Sequence, residues 1–212
     1  DVRGMMQKLK LIYFLIIILL PTKLYALIEV DITRGNLNPL PIAVSPLYSD
    51  LETTNKLKKE IKIDKIGNEI SVVIENNLKA TGLFNPLEKK AFLQKPDVAH
   101  LKPRFEDWSL IKAQALITGQ VEFKEGKVRV EFRLWDVLAG KEMLAIAFTT
   151  VPNNWRRIGH IISDKIYERL TGEKGYFDTR IIYVSEKGPK TKRIKKLAIM
   201  DQDGFNTKYL TL

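Results

Sequence analysis

The 212-residue chain contains no cysteine, two histidines and three tryptophans. The missing cysteines exclude a disulfide-stapled scaffold, a CxxC redox pair and every thiolate metal site. The sequence also holds no GxSxG, no Walker loop, no GxGxxG and no HExxH, so the common hydrolase, nucleotide and zinc-protease signatures are absent. No apolar run reaches the roughly 20 residues of an ordinary membrane-spanning helix. What is present is an apolar fraction of 45%, which excludes a wholly disordered chain, and a formal charge of +10.

Leu11–Leu20 (LIYFLIIILL) is an unbroken apolar run preceded by Lys8 and Lys10 and followed by residues 21–26, PTKLYA. A basic flank, a short apolar stretch and a small residue at its end read as a secretory signal peptide. Met5 or Met6 is the expected start, and cleavage is expected after Ala26. Residues 1–26 carry Arg3, Lys8, Lys10 and Lys23 against Asp1, so the mature chain falls to about +7. An exported protein meets little nucleic acid. The remaining charge therefore argues for solubility or an anionic envelope surface rather than a nucleic-acid partner.

Residues 27–38 (LIEVDITRGNLN) alternate Ile28, Val30 and Ile32 with Glu29, Asp31 and Thr33, then break at Arg34-Gly35 and Pro39. Period two predicts an edge strand or a free arm able to add to another protein's sheet. Residues 40–46 predict a buried strand, and the lysine-rich residues 50–65 a solvated loop or frayed helix. Ile66, Ile70, Val73, Ile74 and Leu78 recur at helical spacing up to Gly82, and Phe105, Trp108 and Ile111 suggest a short helix. Between Ala115 and Thr150, three alternating runs joined at Glu125-Gly126 and Ala139-Gly140 predict an antiparallel meander with one wet, charged face. Trp155, Ile158, Ile162, Ile166 and Leu170 share a helix face, with an Asn cap at 153 or 154 and Gly172 after it. The expected fold is α/β (α+β), in two layers, with a mixed sheet and two main helices on one face. Three further short strands, over residues 180–185, 193–201 and 207–212, cannot bury both faces alone, so the chain reads as cut within a second domain.

Candidate chemistry is sparse. His160 and Asp164 lie one turn apart, but two ligands do not make a zinc site, and a packed histidine is the preferred reading. His100 reads as solvated. Residues 201–204 (DQDG) resemble the start of a calcium loop, yet the later acidic ligand is missing and a hairpin turn explains them better. Trp108 and Trp155 belong to apolar helix faces, whereas Trp135 falls out of step with Phe132 and Leu134 and is expected to be the exposed one. No catalytic residue, metal or cofactor is assigned.

Residues 80–87 (ATGLFNPL), 160–164 (HIISD), 170–180 (LTGEKGYFDTR), 181–184 (IIYV) and 200–204 (MDQDG), in this order, resemble the TolB family of the Tol–Pal envelope system. The resemblance implies an N-terminal α/β domain over 39–176 and the first strands of a β-propeller over 177–212. It implies a periplasmic, non-enzymatic protein linking TolA and Pal, with roles in outer-membrane integrity, cell division and protein import. Other outer-membrane proteins are further implied partners. The arm residues Ile28, Glu29, Val30, Asp31, Ile32, Thr33, Arg34 and Gly35 match the TolA-binding segment. Pal docks on the propeller, so no Pal contact is assigned here. The alternative is an exported serine hydrolase or peptidase whose catalytic domain lies beyond residue 212.

Overall fold

A computed structural model describes residues 28–30 and 38–211. The expected signal peptide and its cleavage residue Ala26 lie outside the described residues. The first sheet is built from β1 (Leu40–Val44), β2 (Phe84–Pro86), β3 (Ala115–Lys124), β4 (Lys127–Asp136) and β5 (Lys141–Thr150), in the spatial order β2-β1-β3-β4-β5. β1 runs parallel to both β2 and β3, while β3, β4 and β5 form the antiparallel meander. The sheet is therefore mixed, as the alternation of strands and helices predicts. Val128, Val130, Phe132 and Leu134 of β4 are fully buried, while the charged residues between them face the other way.

Three helices lie on the buried face: α1 (Leu51–Ile61), α2 (Ile66–Ala80) and, later in the chain, a long helix described below. In α1 the sequence shows little apolar character, yet Leu57 is fully buried and Asp50 caps the start. The Asp50 carboxylate accepts a hydrogen bond from the Thr53 N–H at 2.6 Å, which satisfies an orphan donor of the first turn. That bond is the main reason the Asp50 carboxyl sits below its ordinary value of 3.8. Its contribution to stability is complete above that value and is lost as pH falls through the lowered folded value. Asp50→Ala is expected to cost about 1 kcal/mol at neutral pH. The difference from wild type in thermal melts should shrink as pH falls below that ordinary value, and a constant difference would contradict the capping role.

The segment after β2 crosses to the opposite face of the sheet. It carries α3 (Pro96–Ala99) and α4 (Phe105–Leu110) and builds a second, smaller core of Ala43, Ala99, Trp108, Ala113, Leu116 and Val137. Gln94 organises it: its carbonyl oxygen accepts from Arg104 N–H and Trp108 Nε1–H, and its amide donates to the Lys102 carbonyl. Trp135 packs here too. Its ring meets Phe105 edge-on at 5.7 Å and its Nε1–H donates to Thr118 Oγ1, so the expectation of an exposed Trp135 is wrong. Trp135 keeps the alternation of β4, which places it on the sheet's other face, and that face is covered at this end by Phe105 and the second core.

α5 (Trp155–Thr171) returns to the main core and crosses α2 closely at Gly159, where a Cβ would stand 2.8 Å from Val73 Cγ1. No Asn side chain caps α5; the helix is entered instead through a 3₁₀ turn, Pro152–Asn154. Gly172 ends it. A separate three-stranded antiparallel sheet follows, β6 (Arg180–Lys187), β7 (Ile194–Asp201) and β8 (Lys208–Tyr209), with Ile182, Val184, Ile194, Leu197 and Tyr209 exposed.

Candidate functional site

Two places concentrate polar groups: the anchorage of residues 28–30 and the junction between the helices and the second sheet. At the first, the Val30 N–H donates to the Leu170 carbonyl at 2.7 Å. Leu170 lies in the last turn of α5, where carbonyls have no intrahelical donor, so the arm supplies a cap that the helix itself cannot. Ile28 N–H donates to Asp136 Oδ2 at 3.3 Å, and Asp136 Oδ1 accepts from Ala139 N–H at 2.8 Å. A single carboxylate, 1% exposed, thus closes the β4–β5 turn and holds the start of the arm. Ile28 and Val30 pack on the main core, while Glu29 is exposed beside Leu144, Ile146, Lys165 and Arg169. Of the expected arm residues, Asp31, Ile32, Thr33, Arg34 and Gly35 lie outside the described residues.

At the junction, α2 contributes Asn77, α5 contributes Arg156, His160 and Ser163, and the turn after β7 contributes Gln202 and Asp203. Asn77 Nδ2 lies 3.0 Å from Ser163 Oγ and 2.9 Å from His160 Nδ1. The Ser163 hydroxyl donates to the Gly159 carbonyl, so it accepts from Asn77. The same amide nitrogen therefore donates to His160 Nδ1, and an accepting ring nitrogen leaves the imidazole proton on Nε2. Asn77 Oδ1 in turn accepts from Gln202 Nε2 at 2.9 Å. His160 is only 2% exposed, and burial is the chief cause that holds its imidazole below the ordinary 6.5, with Asp203 opposing. Arg156 pairs with Asp203 and stacks over Phe205 at 3.5 Å.

His160, Asp201 and Asp203 bring one ligand atom each within 4.8 Å of one another, a grouping that invites a metal. The tautomer argues against it, because Nε2 presents a proton rather than a lone pair to the carboxylates. Arg156 already occupies Asp203. The grouping is a neutral imidazole beside the Arg156–Asp203 ion pair. Residues 201–204 make the expected turn, with Gly204 N–H returning to the Asp201 carbonyl.

His160 and Asp164 do not pair. Asp164 turns to the connecting segment and accepts from Phe177 N–H at 2.6 Å and Asp178 N–H at 3.1 Å. His100 is half-buried rather than solvated: Nδ1 donates to the Pro96 carbonyl and the ring stacks on Tyr48 at 4.4 Å. On the outer face of the meander, Arg129 and Arg133 both bond Glu131, and Arg133 also reaches Glu142. These cations are compensated within the face, which removes the basis for a phosphate-tracking surface. Asp136 and Asn77 were not singled out from the sequence, and Gln202 only as part of the 201–204 turn. Asp136 at a strand end three residues before Ala139-Gly140 is a recognisable turn signal, whereas nothing local marks Asn77 or gives Gln202 a partner.

Neither histidine hydrogen-bonds a hydroxyl, and both are committed to structural partners. The fold and its two polar centres define an α/β module that carries a separate antiparallel sheet. Residues 28–143 match the TolB amino-terminal domain. The Tol-Pal system protein TolB of Pelagibacter ubique (strain HTCC1062) is 75% identical over 199 residues, 94% of this chain and 45% of that protein. The chain belongs to the TolB family, which is non-enzymatic. It spans about half the length of the curated relative that it matches. The crystal structure of TolB from Acinetobacter baumannii superimposes with a TM-score of 0.66 at 24% identity, covering 86% of this chain and 41% of that one, and shows the same fold. No helix among the described residues is long and apolar enough to cross a membrane.

Proposed function

We propose that this chain is the amino-terminal portion of a periplasmic Tol–Pal component that links TolA to Pal by protein–protein contacts. The observation that carries this reading is the 75% identity to a Tol–Pal system protein. In it, residues 1–26 are a leader cleaved after Ala26, and Ile28–Gly35 is the TolA-binding arm. The arm's main chain pairs with an exposed sheet edge of TolA, while alternate apolar side chains select the register. Among the described residues the arm is tied by two hydrogen bonds from its main-chain N–H groups, Val30 to the Leu170 carbonyl and Ile28 to the Asp136 carboxylate, so release of residues 28–30 is inexpensive in hydrogen bonds. β6, β7 and β8 begin a β-propeller on which Pal docks, and the exposed apolar residues of that sheet suit burial by later blades. Through these contacts the protein supports outer-membrane integrity, envelope constriction at division and protein import, with other outer-membrane proteins as further partners. Membership of a non-enzymatic family favours this reading over an exported hydrolase.

The arm is tested by capture of TolA with the mature protein and with a form lacking Leu27–Gly35. The truncated form is expected to lose at least tenfold in affinity, about 1.4 kcal/mol or more. Equal capture by both forms would sink the arm as the TolA site.

A further inference from the structure

Asp136 is 1% exposed and has no ion-pair partner among the described residues. Buried aspartates are seldom left so, because a charge taken out of water is costly without a counter-ion. Oδ1 closes the β4–β5 turn by accepting the Ala139 N–H at 2.8 Å. Oδ2 holds the Ile28 N–H at a long 3.3 Å. These two bonds fill about half of a carboxylate's roughly four acceptor positions. Lys141 stands opposite Asp136 across the turn, is exposed and shares neither bond. We propose that Asp136 is the receptor for the mature amino terminus, pairing with the α-ammonium of Leu27 and so anchoring the arm in a chain that begins there. The anchor rests on the leader reading, in which cleavage falls after Ala26, and goes beyond it by giving the new terminus a partner.

The reach follows from covalent geometry. The Leu27 amine is three bonds from the Ile28 nitrogen, and three such bonds span at most about 3.6 Å. Rotation about the Leu27 Cα–C bond swings the amine to the side on which the Ile28 N–H already meets Oδ2. Two successive main-chain nitrogens then face one carboxylate, as they do in backbone anion nests. In an uncleaved chain the nitrogen of residue 27 is a neutral amide with a single hydrogen. Cleavage turns it into an ammonium with three hydrogens and a charge, and charge-assisted bonds are about twice as strong as neutral ones. A terminus held at Asp136 restricts residues 28–30, which favours the Val30 bond to the Leu170 carbonyl at 2.7 Å.

The other charged groups at this end of the arm leave the carboxylate to the terminus. Glu29 is exposed beside Lys165, Glu168 and Arg169 of α5. Lys165 and Glu168 pair with each other, and Arg169 Nε donates to the Met143 carbonyl. An amine that gains a carboxylate partner titrates above its ordinary value of about 8. The anchor therefore acts fully below about pH 8 and is lost as pH rises through the raised folded value.

The test uses the full-length exported protein, compared with the same protein acetylated selectively on its α-amine. Intact mass should show a chain that begins at Leu27. Amide exchange at Val30 should be about tenfold faster after acetylation, because the terminus has lost its charge. Asp136→Asn keeps an acceptor for the Ala139 amide and removes the counter-ion. It should exchange faster than wild type at Val30, and acetylation should change it no further. The α-amine should titrate above about 9 in wild type and near 8 in Asp136→Asn. Equal exchange in the free and acetylated wild-type chains overturns the anchor, and so does an acetylation effect that persists undiminished in Asp136→Asn. Where Asp136→Asn fails to fold, the wild-type titration decides: a midpoint above about 9 supports the pairing, and one near 8 overturns it. A mature mass that starts elsewhere than Leu27 overturns the leader reading and the anchor with it, whereas equal exchange in a chain that does start there overturns the anchor alone.

Discussion

Gly67→Ala is expected to destabilise the protein by about 3 kcal/mol and to lower the melting temperature by roughly 6–12 °C. A Cβ at Gly67 would lie 1.8 Å from the Leu47 carbonyl oxygen and 2.7 Å from its carbon. The obstruction is backbone, so no side chain can swing aside. The first turn of α2 rests directly on the chain leaving β1. Leu47 N–H donates to the Gly67 carbonyl at 3.2 Å, and Ser71 Oγ donates toward the Ser45 carbonyl at 3.1 Å. A methyl group would push α2 off this seat, and Asn77 with it, about 15 Å further along the same helix. Thermal denaturation gives the reading. A variant melting within about 2 °C of wild type would show that the two backbones are not in contact as described.

Asp164→Ala comes next in size, at about 3 kcal/mol, and its effect is local. The carboxylate is the acceptor for two consecutive amides, Phe177 and Asp178, and charged acceptors make the stronger protein hydrogen bonds. Losing it leaves both N–H groups without a partner and frees the segment that leads from α5 to β6. Phe177 is buried beside Tyr167 at 5.9 Å, so the loosened segment also exposes an aromatic. Amide exchange at 177 and 178 is expected to accelerate by about 100-fold, with a smaller increase in Asp164→Asn, which keeps one acceptor oxygen. Exchange unchanged at both amides would mean that packing at Phe177, not the carboxylate, holds the connection.

Legibility from the sequence follows the reach of each signal. Alternation in β4 and the 3.6-residue stripe in α5 are local repeats imposed by one buried face, and both elements stand where the pattern places them. α1 was harder to read because Leu57 alone is its fully buried apolar residue and lysines dominate the rest. β2 is a strand only because β1 runs beside it; three residues, Phe84–Pro86, have no period of their own. Trp135 was misjudged because its face of β4 is covered only at this end, by Phe105 some 30 positions earlier, which the alternation of its neighbours cannot show.

The candidate site divides the same way. The alternation over Ile28–Thr33 was readable, but its attachment was not. Val30 meets Leu170 across 140 positions and Ile28 meets Asp136 across 108, contacts that no local pattern encodes. His160 was legible as a packed histidine, and Asp164, one turn away and within possible reach, serves the connecting segment instead. Asn77 and Gln202 became partners only when α2 and the second sheet were folded against α5.

The sequence by itself determined the absence of thiol chemistry, the pattern of strands and helices, and the family resemblance carried by residues 80–87 and 160–184. These follow from composition and from short-range periodicity, which every stretch of chain carries within itself. Only the tertiary structure decided which hydrogen-bond donor meets which acceptor at the arm and at the junction. Buried polar groups must find partners wherever the packed helices and sheets bring them, and that pairing belongs to the fold rather than to any segment.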